Sequence, residues 1–363
     1  MNKLIKFLID DEKQNIIIPF LSVFLGFLVG AIIMLASGFN PIIAYSALLR
    51  GAGFYGNIQR FGNTLLNMTP LILTGLSVAF AFRTGLFNIG ASGQMLIGGF
   101  VAVYIGIKFD LPRIIHLPFA VIFAILFGAL WAFIPGLLKA KFRVHEVIST
   151  IMMNWIAYWV VYDLVRATIP GNFDTESAVI KSSASLRTEW LSSMFNGSPI
   201  NLGLFLALIA IFIIWFILEK TTFGYELKAV GFNSNAAEYA GMKVDRNIIL
   251  SMMISGALSG LAGATYYLGF TNNIKIGVLP PHGFDGIAVA LLGLLSPIGV
   301  LFSSFLFGFM NSGKLFMQTS ARVPNDLVPI IIATIVFFSA SNLMVKSWLS
   351  NIGRKMKKYG GEE

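Results

Sequence analysis

IIIPFLSVFLGFLVGAIIMLA, residues Ile16 to Ala36, runs for about 21 residues without one charged side chain. An α-helix rises about 1.5 Å per residue, so a run of this length covers the roughly 30 Å hydrocarbon layer of a bilayer with its backbone hydrogen bonds satisfied internally. No A-x-A cleavage pattern accompanies it, and we read it as a retained span instead of a signal peptide. The same rule places spans near 16–37, 64–82, 89–107, 117–138, 147–169, 200–218, 247–270 and 327–345. The run from Gly286 to Ser312 is too long for one ordinary helix and is interrupted at Ser296-Pro297-Ile298-Gly299, so it folds back with both ends on one side, as two spans or as a re-entrant pair. The expected fold is an all-α polytopic membrane bundle of about ten transmembrane helices. Its membrane domain covers 16–345, with a short segment 1–15 before it and a basic tail 346–363 after it.

Composition agrees. The 363 residues are 56% hydrophobic and 12% charged, with a mean hydropathy of +0.78, whereas soluble domains carry about 25% charged residues. The formal charge is +9, but the basic residues sit beside apolar runs and form no arm with interleaved aromatics, so nucleic acid is not an expected partner. Cysteine is absent, which removes disulfides, thiol catalysis and cysteine-ligated metals. His116, His145 and His282 lie far apart without ligand spacing such as HExxH and read as interfacial residues, so neither a metal site nor a catalytic set is expected.

Lysine and arginine are retained on the cytoplasmic side of a membrane. A cytoplasmic N-terminus puts Lys3, Lys6, Lys13, Arg83, Lys139, Lys141, Arg143, Lys220, Lys228, Lys243, Arg246 and the tail lysines inside, about sixteen of the 26 basic residues. On that reading both termini and the loop 219–246 are cytoplasmic, and the polar loop 170–199 is extracellular.

The inside loop carries KAVGFNSNAAEYAGM, Lys228 to Met242. Gly231 is expected to break the preceding helix, Asn235 to cap a short one with Glu238 three residues on, and Gly241 to stop it. A helix of under two turns is unstable alone in water and must dock, either on its own bundle or on a partner. The stretch FGYELKAVGFNSNAAEYAGM resembles the cytoplasmic coupling loop of ABC-importer permeases. Asn235-Ala236-Ala237, three residues, then Gly241 resembles the EAA-x-x-x-G pattern of that loop, with Asn235 in place of its glutamate. FRTGLFNIGASGQMLIGG (Phe82–Gly99, with Ser92 where glutamate is commoner), GFDGIAVALLGLLSPIGV (Gly283–Val300) and TIMMNWIAYW (Thr150–Trp159) resemble signatures of the ribose, branched-chain amino acid and nucleoside branch, and are most similar to nucleoside-uptake permeases working with a membrane-anchored binding lipoprotein.

The resemblance implies that Asn235, Ala236, Ala237, Glu238 and Gly241 form the contact to a cytoplasmic ATPase, that a related but distinct second permease pairs with this chain, and that ATP and Mg are bound by the ATPase. The chain itself is expected to bind no cofactor. A lone G-x-x-x-x-G-K match, Gly308 to Lys314, lacks the Mg-binding hydroxyl at Leu315 and follows an apolar run, so it reads as chance.

Charges inside the expected spans are nearly absent, which suits an uncharged solute and argues against ion coupling. Asp163 and Arg166, three apart near the end of the fifth span, are expected to pair. Asn88, Gln94 and Asn154 are the candidate pathway amides. Trp155 and Tyr158 are candidate aromatics for stacking a planar base, and each reads equally as a packing or interfacial residue. Gly256, Gly260 and Ala264, four apart, form a small-residue stripe for close helix approach, and Pro70 and Pro135 mark possible helix breaks. Permeases for ribose-like sugars or branched-chain amino acids, and an ion-coupled secondary transporter, are the competing readings. A membrane-embedded enzyme would need a convergent acid/base or metal set that the sequence does not offer.

Overall fold

The computed structural model describes residues 11–341. Residues 1–10, most of the expected N-terminal segment 1–15, and the whole of the expected tail 346–363 lie outside the described residues. In chain order the helices are α1 (Asp11–Ala36), α2 (Pro41–Gly51), α3 (Ile58–Arg83), α4 (Ala91–Lys108), α5 (Arg113–Phe142), α6 (Glu146–Thr168), α7 (Glu189–Met194), α8 (Gly203–Lys220), α9 (Thr222–Phe232), α10 (Ser234–Tyr239), α11 (Val244–Tyr266), α12 (His282–Leu292), α13 (Pro297–Ala321) and α14 (Leu327–Ala340). Eight of them, α1, α3, α4, α5, α6, α8, α11 and α13, are long and apolar enough to cross a membrane, while α12 and α14 are shorter apolar helices. The chain is a multi-pass membrane bundle.

Burial separates the inner helices from the outer ones. The apolar windows of α3, α4 and α11 are 83%, 78% and 67% buried, against 28% for α5 and 33% for α6 and α8. The outer helices point Ile122, Trp155 and Phe212 away from the protein, as lipid-facing helices do.

The inner helices meet through glycine. A Cβ on Gly260 of α11 would stand 2.2 Å from the Ala124 carbonyl oxygen of α5, and one on Gly98 of α4 would stand 2.5 Å from the Gly260 α-carbon. Gly256 and Gly128 face each other in the same way, each with the other's carbonyl oxygen 2.3–2.4 Å from its would-be Cβ. The expected Gly256, Gly260, Ala264 stripe is this packing surface, and backbones approach here because no side chain separates them. A second pair forms where α14 lies on α1, with Ile331 and Ile335 filling the notches at Gly30 and Gly26.

The run 286–312 resolves into one half-length helix and one full one. Eleven-residue α12, roughly 16 Å long, descends into the bundle after the irregular strap 272–281. The chain reverses over Gly293–Ser296, and Pro297 begins α13 at a position where its missing N–H is harmless. Leu294 and Leu295 hold φ of 52° and 56° in this turn, and Gly299 lets α13 pass the Gly293 carbonyl, which a Cβ there would meet at 2.1 Å.

Two expectations are corrected. Pro70 and Pro135 do not break their helices; both lie inside continuous α3 and α5, held by their neighbours. Asp163 and Arg166 form no pair among the described residues, because Arg166 lies over the Tyr162 ring, 5.3 Å from its centroid, and donates to its hydroxyl at 2.9 Å. In agreement with its reading as a chance match, Gly308 to Lys314 is part of helix α13, with Gly308 against Met68 and Gly313 against Leu48.

Replacing Gly260 by leucine is expected to destabilise the bundle by about 1–3 kcal/mol, measured as a lower melting temperature in detergent. Leu130→Ala, on the outward side of α5, should change stability by no more than about 0.5 kcal/mol.

Candidate functional site

The ends of α3, α5, α8 and α13 define two faces. One carries Arg83, the α5–α6 junction, the loop 221–243 and the Gly293–Ser296 turn; the other carries the strap 272–281 and the loop 169–202 with α7.

On the first face α8 stops at Lys220 because Thr221 caps the next helix, its Oγ1 accepting from Gly224 N at 3.1 Å while donating to the Ile217 carbonyl at 2.6 Å. The break therefore falls ten residues before Gly231. Gly231 lies within α9 and allows that helix to lie on the end of α3, where a Cβ would meet the Arg83 carbonyl at 2.3 Å and Gly85 N at 2.9 Å. Asn233, not Asn235, caps the six-residue α10: its backbone alone is extended (φ −158°, ψ 104°), and its Oδ1 accepts from Ala236 N at 3.0 Å. Gly241 ends α10 as expected, at φ +83°, with Gly241 N donating to the Glu238 carbonyl and Met242 N to the Ala237 carbonyl.

Asn235, Ala236, Glu238 and Gly241 are exposed, as a partner contact requires, but Ala237 is turned into its own chain at 4% exposure. Phe232 and Tyr239, at 96% and 95%, were not foreseen; an aromatic in a polar loop with no apolar neighbour to bury against was the available signal. Beside α10 opens a cleft of about 970 Å³ whose walls include Lys139, Arg143, Asn235, Glu238 and Arg246. Its frame is fixed by Lys139–Glu146 (2.8 Å), Lys141–Asp245 (3.0 Å) and the Asn247 to Glu226 hydrogen bond (2.9 Å), which tie α5, α6, α9 and α11 together.

Within the bundle, Thr84–Gly90 is irregular backbone, and the three candidate amides converge on it. Asn88 donates to Gln94 Oε1 (2.9 Å) and Ser255 Oγ (2.8 Å), and its Oδ1 accepts from Gly90 N and from Gln94 Nε2. Asn154 reaches across from α6, accepting from Gly93 N (2.8 Å) and donating to the Ile89 carbonyl (2.9 Å). Ser255 continues the network to Ser77, which also meets Ser259. All three amides are buried, and their hydrogen-bonding capacity is used to carry a non-helical stretch through an apolar interior. Tyr158 is half-buried with its hydroxyl beside Gly277 of the strap. Trp155, 54% exposed, points away from the amides on the outside of α6.

A polar cluster that sequence reading missed lies at the start of α12. Ser92 donates to the Pro280 carbonyl at 2.9 Å, and Gly283 packs on Ser92, so the amide-braced start of α4 supports the start of α12. There the His282 ring lies 4.8 Å from that of Tyr266, and Asp285 of α12 and Lys314 of α13 are both half-buried. Asn67 of α3 donates to Ser312 Oγ at 2.8 Å beside them. A cavity of about 10 Å³ touches Asn67, Asn201, Tyr266 and His282. Asp285 and Lys314 flank the apolar run 286–312 and lie just outside it in the chain, and Lys314 falls within the spanning helix α13.

The family described as "Branched-chain amino acid transport system / permease component" matches residues 60–340. The guanosine ABC transporter permease protein NupP of Bacillus subtilis (strain 168) is 46% identical over 94% of this chain and 98% of its own length. The nucleoside ABC transporter permease protein NupB of Lactococcus lactis subsp. cremoris is 41% identical over 94% of each. The guanosine ABC transporter permease protein NupQ of B. subtilis, at 30%, aligns with 69% of this chain and 79% of its own. A helical membrane bundle matched along most of its length by transport subunits, this chain belongs to the branched-chain amino acid transport system permease family and is the membrane-spanning permease of an ABC transporter.

Proposed function

We propose that this chain is one of two permeases in an ATP-driven importer of nucleosides, with residues 219–246 and both termini in the cytoplasm and the loop 170–199 outside. The observation that carries the reading is the α10 knob, too short to fold alone, held out from the bundle with Phe232 and Tyr239 uncovered. That surface fits a cytoplasmic ATPase, which would bind the ATP and Mg and hydrolyse the nucleotide. The names of NupP and NupB support nucleosides as the solute. The lower identity of NupQ to this chain supports a related but distinct second permease. A binding lipoprotein would deliver solute to the face carrying the strap and the 169–202 loop.

Contacts set the route of the push. Movement of α10 moves α9, and Gly231 bears on Arg83, Thr84 and Gly85 at the end of α3. Arg83 Nε donates to the Leu295 carbonyl at 3.1 Å, gripping the left-handed Leu294-Leu295 turn that joins the end of α12 to α13. A leucine in this conformation costs roughly 1–3 kcal/mol, so the turn favours rearrangement when its clamp shifts. Asn88, Gln94 and Asn154 act in this scheme by holding the non-helical stretch that shapes the pathway, and Tyr158 by supporting the strap. No covalent intermediate forms.

Cells lacking this chain are expected to lose uptake of labelled guanosine and other nucleosides and to regain it when the chain is restored; restored uptake of leucine or ribose instead would refute the nucleoside reading. Phe232→Ala combined with Tyr239→Ala should leave membrane insertion intact and lower import at least about tenfold, equivalent to about 1.4 kcal/mol of lost coupling. Normal import at matched expression would count against the knob as the ATPase contact. Asn154→Leu strands Gly93 N and the Ile89 carbonyl and should cost about 1–3 kcal/mol, seen as a lower melting temperature. A variant with unchanged stability but lost uptake would instead mark Asn154 as a solute contact.

A further inference from the structure

We propose that the cleft beside α10 binds an anionic phospholipid, with its phosphodiester among Arg143, Lys243 and Arg246 and its acyl chains along the start of α11. The inference goes beyond the importer reading and is independent of the solute carried.

The cleft, about 970 Å³, is bounded by the end of α5, the start of α11 and the side of α10. Five basic side chains line it against two carboxylates, Glu238 and Asp245. Lys139 and Lys141 are matched, to Glu146 at 2.8 Å and to Asp245 at 3.0 Å. Arg143, Lys243 and Arg246 are exposed and close no ion pair among the described residues, so three cations share the cleft with one remaining carboxylate, Glu238. A cleft lined by one sign of charge concentrates its field on an ion of the other sign. Two of the cations also stand where helix electrostatics oppose them: Lys243 immediately precedes α11 and Arg246 lies in its first turn, at the positive end of the helix dipole. Arg143 ends α5 at φ +54°, a left-handed position that glycine ordinarily takes. An anion held in the cleft relieves this crowding of positive charge.

The wall beyond the cations is apolar, and this selects a lipid over a soluble anion. Ile248, Ile249 and Leu250 continue the lining along α11. From Lys243 to Leu250 the helix advances about 10 Å, more than the roughly 5–7 Å of one headgroup layer, so the cleft passes from that layer into the hydrocarbon. Both α5 and α11 are long and apolar enough to cross the membrane, and their polar ends meet here. Phe142, next to Arg143 in the chain, is 70% exposed, as a side chain directed at lipid would be. An acidic peptide or a free phosphate ester would satisfy the cations and leave the apolar wall uncovered. A phospholipid covers both, and basic pockets at the ends of transmembrane helices suit anionic headgroups, each Lys or Arg contributing roughly fivefold in affinity.

The test uses the full-length chain purified in detergent with its partner subunits, and reads binding of phosphatidylglycerol and phosphatidylcholine by native mass spectrometry. Wild type is expected to retain phosphatidylglycerol at least about tenfold more tightly. Arg143→Gln combined with Arg246→Gln should bring the two lipids within about twofold of each other. Lys220→Gln combined with Lys228→Gln, the same charge change on the same face but outside the cleft, should keep most of the preference. Glycerol phosphate, which lacks the chains, should not displace the lipid. Equal retention of the two lipids by wild type would overturn the proposal without any variant, so a variant that fails to accumulate does not shield it. A preference unchanged in the cleft variant, an equal loss in the control pair, or displacement by glycerol phosphate would overturn it as well. Loss of the ATPase from the cleft variant with lipid preference intact would overturn it and assign the cleft to that partner. None of these outcomes bears on the nucleoside reading, which the uptake assay decides separately.

Discussion

Every other feature of this molecule depends on how closely α11 approaches α5 and α4. Gly98, Gly128, Gly256 and Gly260 remove the side chains that would hold these helices apart, and backbone atoms stand where any Cβ would have to go. Inside a bilayer, helices gain little from hydrophobic burial because lipid is as apolar as leucine, so association rests on close packing and interhelical hydrogen bonds. The glycine contact provides the first. The Ser77–Ser255–Ser259 and Asn88–Gln94–Ser255 bonds, on the neighbouring side of α11, provide the second.

A rigid inner layer permits the irregular backbone that transport requires. Thr84–Gly90 passes through the interior without helical structure, and such a stretch survives there only when protein groups replace the missing water. Asn88 and Asn154 supply those groups. Supported in this way, the start of α4 carries Ser92 against Pro280 and positions α12, a helix too short to cross the membrane. The hydrogen-bonded start of α4 therefore lies against the helix whose His282 Nδ1 is buried without a partner.

The coupling face shows the same division of labour. α9 touches the end of α3 through glycine, and the Arg83 side chain joins that end to the Leu294-Leu295 turn, so α9 and the tail of α12 are connected through the end of α3. Phe232, the last residue of α9, and Tyr239, the last of α10, are almost fully exposed on this face.

By itself the sequence determined the features that depend on length, composition and local pattern. Apolar runs long enough for a bilayer located the spans, Gly241 ended the short helix α10, the Gly256–Gly260 stripe marked a packing face, and Pro297 signalled the reversal after α12. These were legible because span length, a left-handed glycine and a four-residue repeat are properties of a single continuous stretch of chain. Tertiary structure alone decided the rest. It chose Asn233 over Asn235 as the cap, because α9 ends just before it, and turned Ala237 inward, because α10 leans on its own chain. It bound Asn88 to Gln94 and Asn154 to the backbone of Ile89 and Gly93, and it brought Ser92 of α4 against the Pro280 carbonyl at the start of α12. A hydrogen bond or a Coulombic contact depends on a few ångströms between residues far apart in the chain, and that distance is set by packing, not by spacing along the sequence.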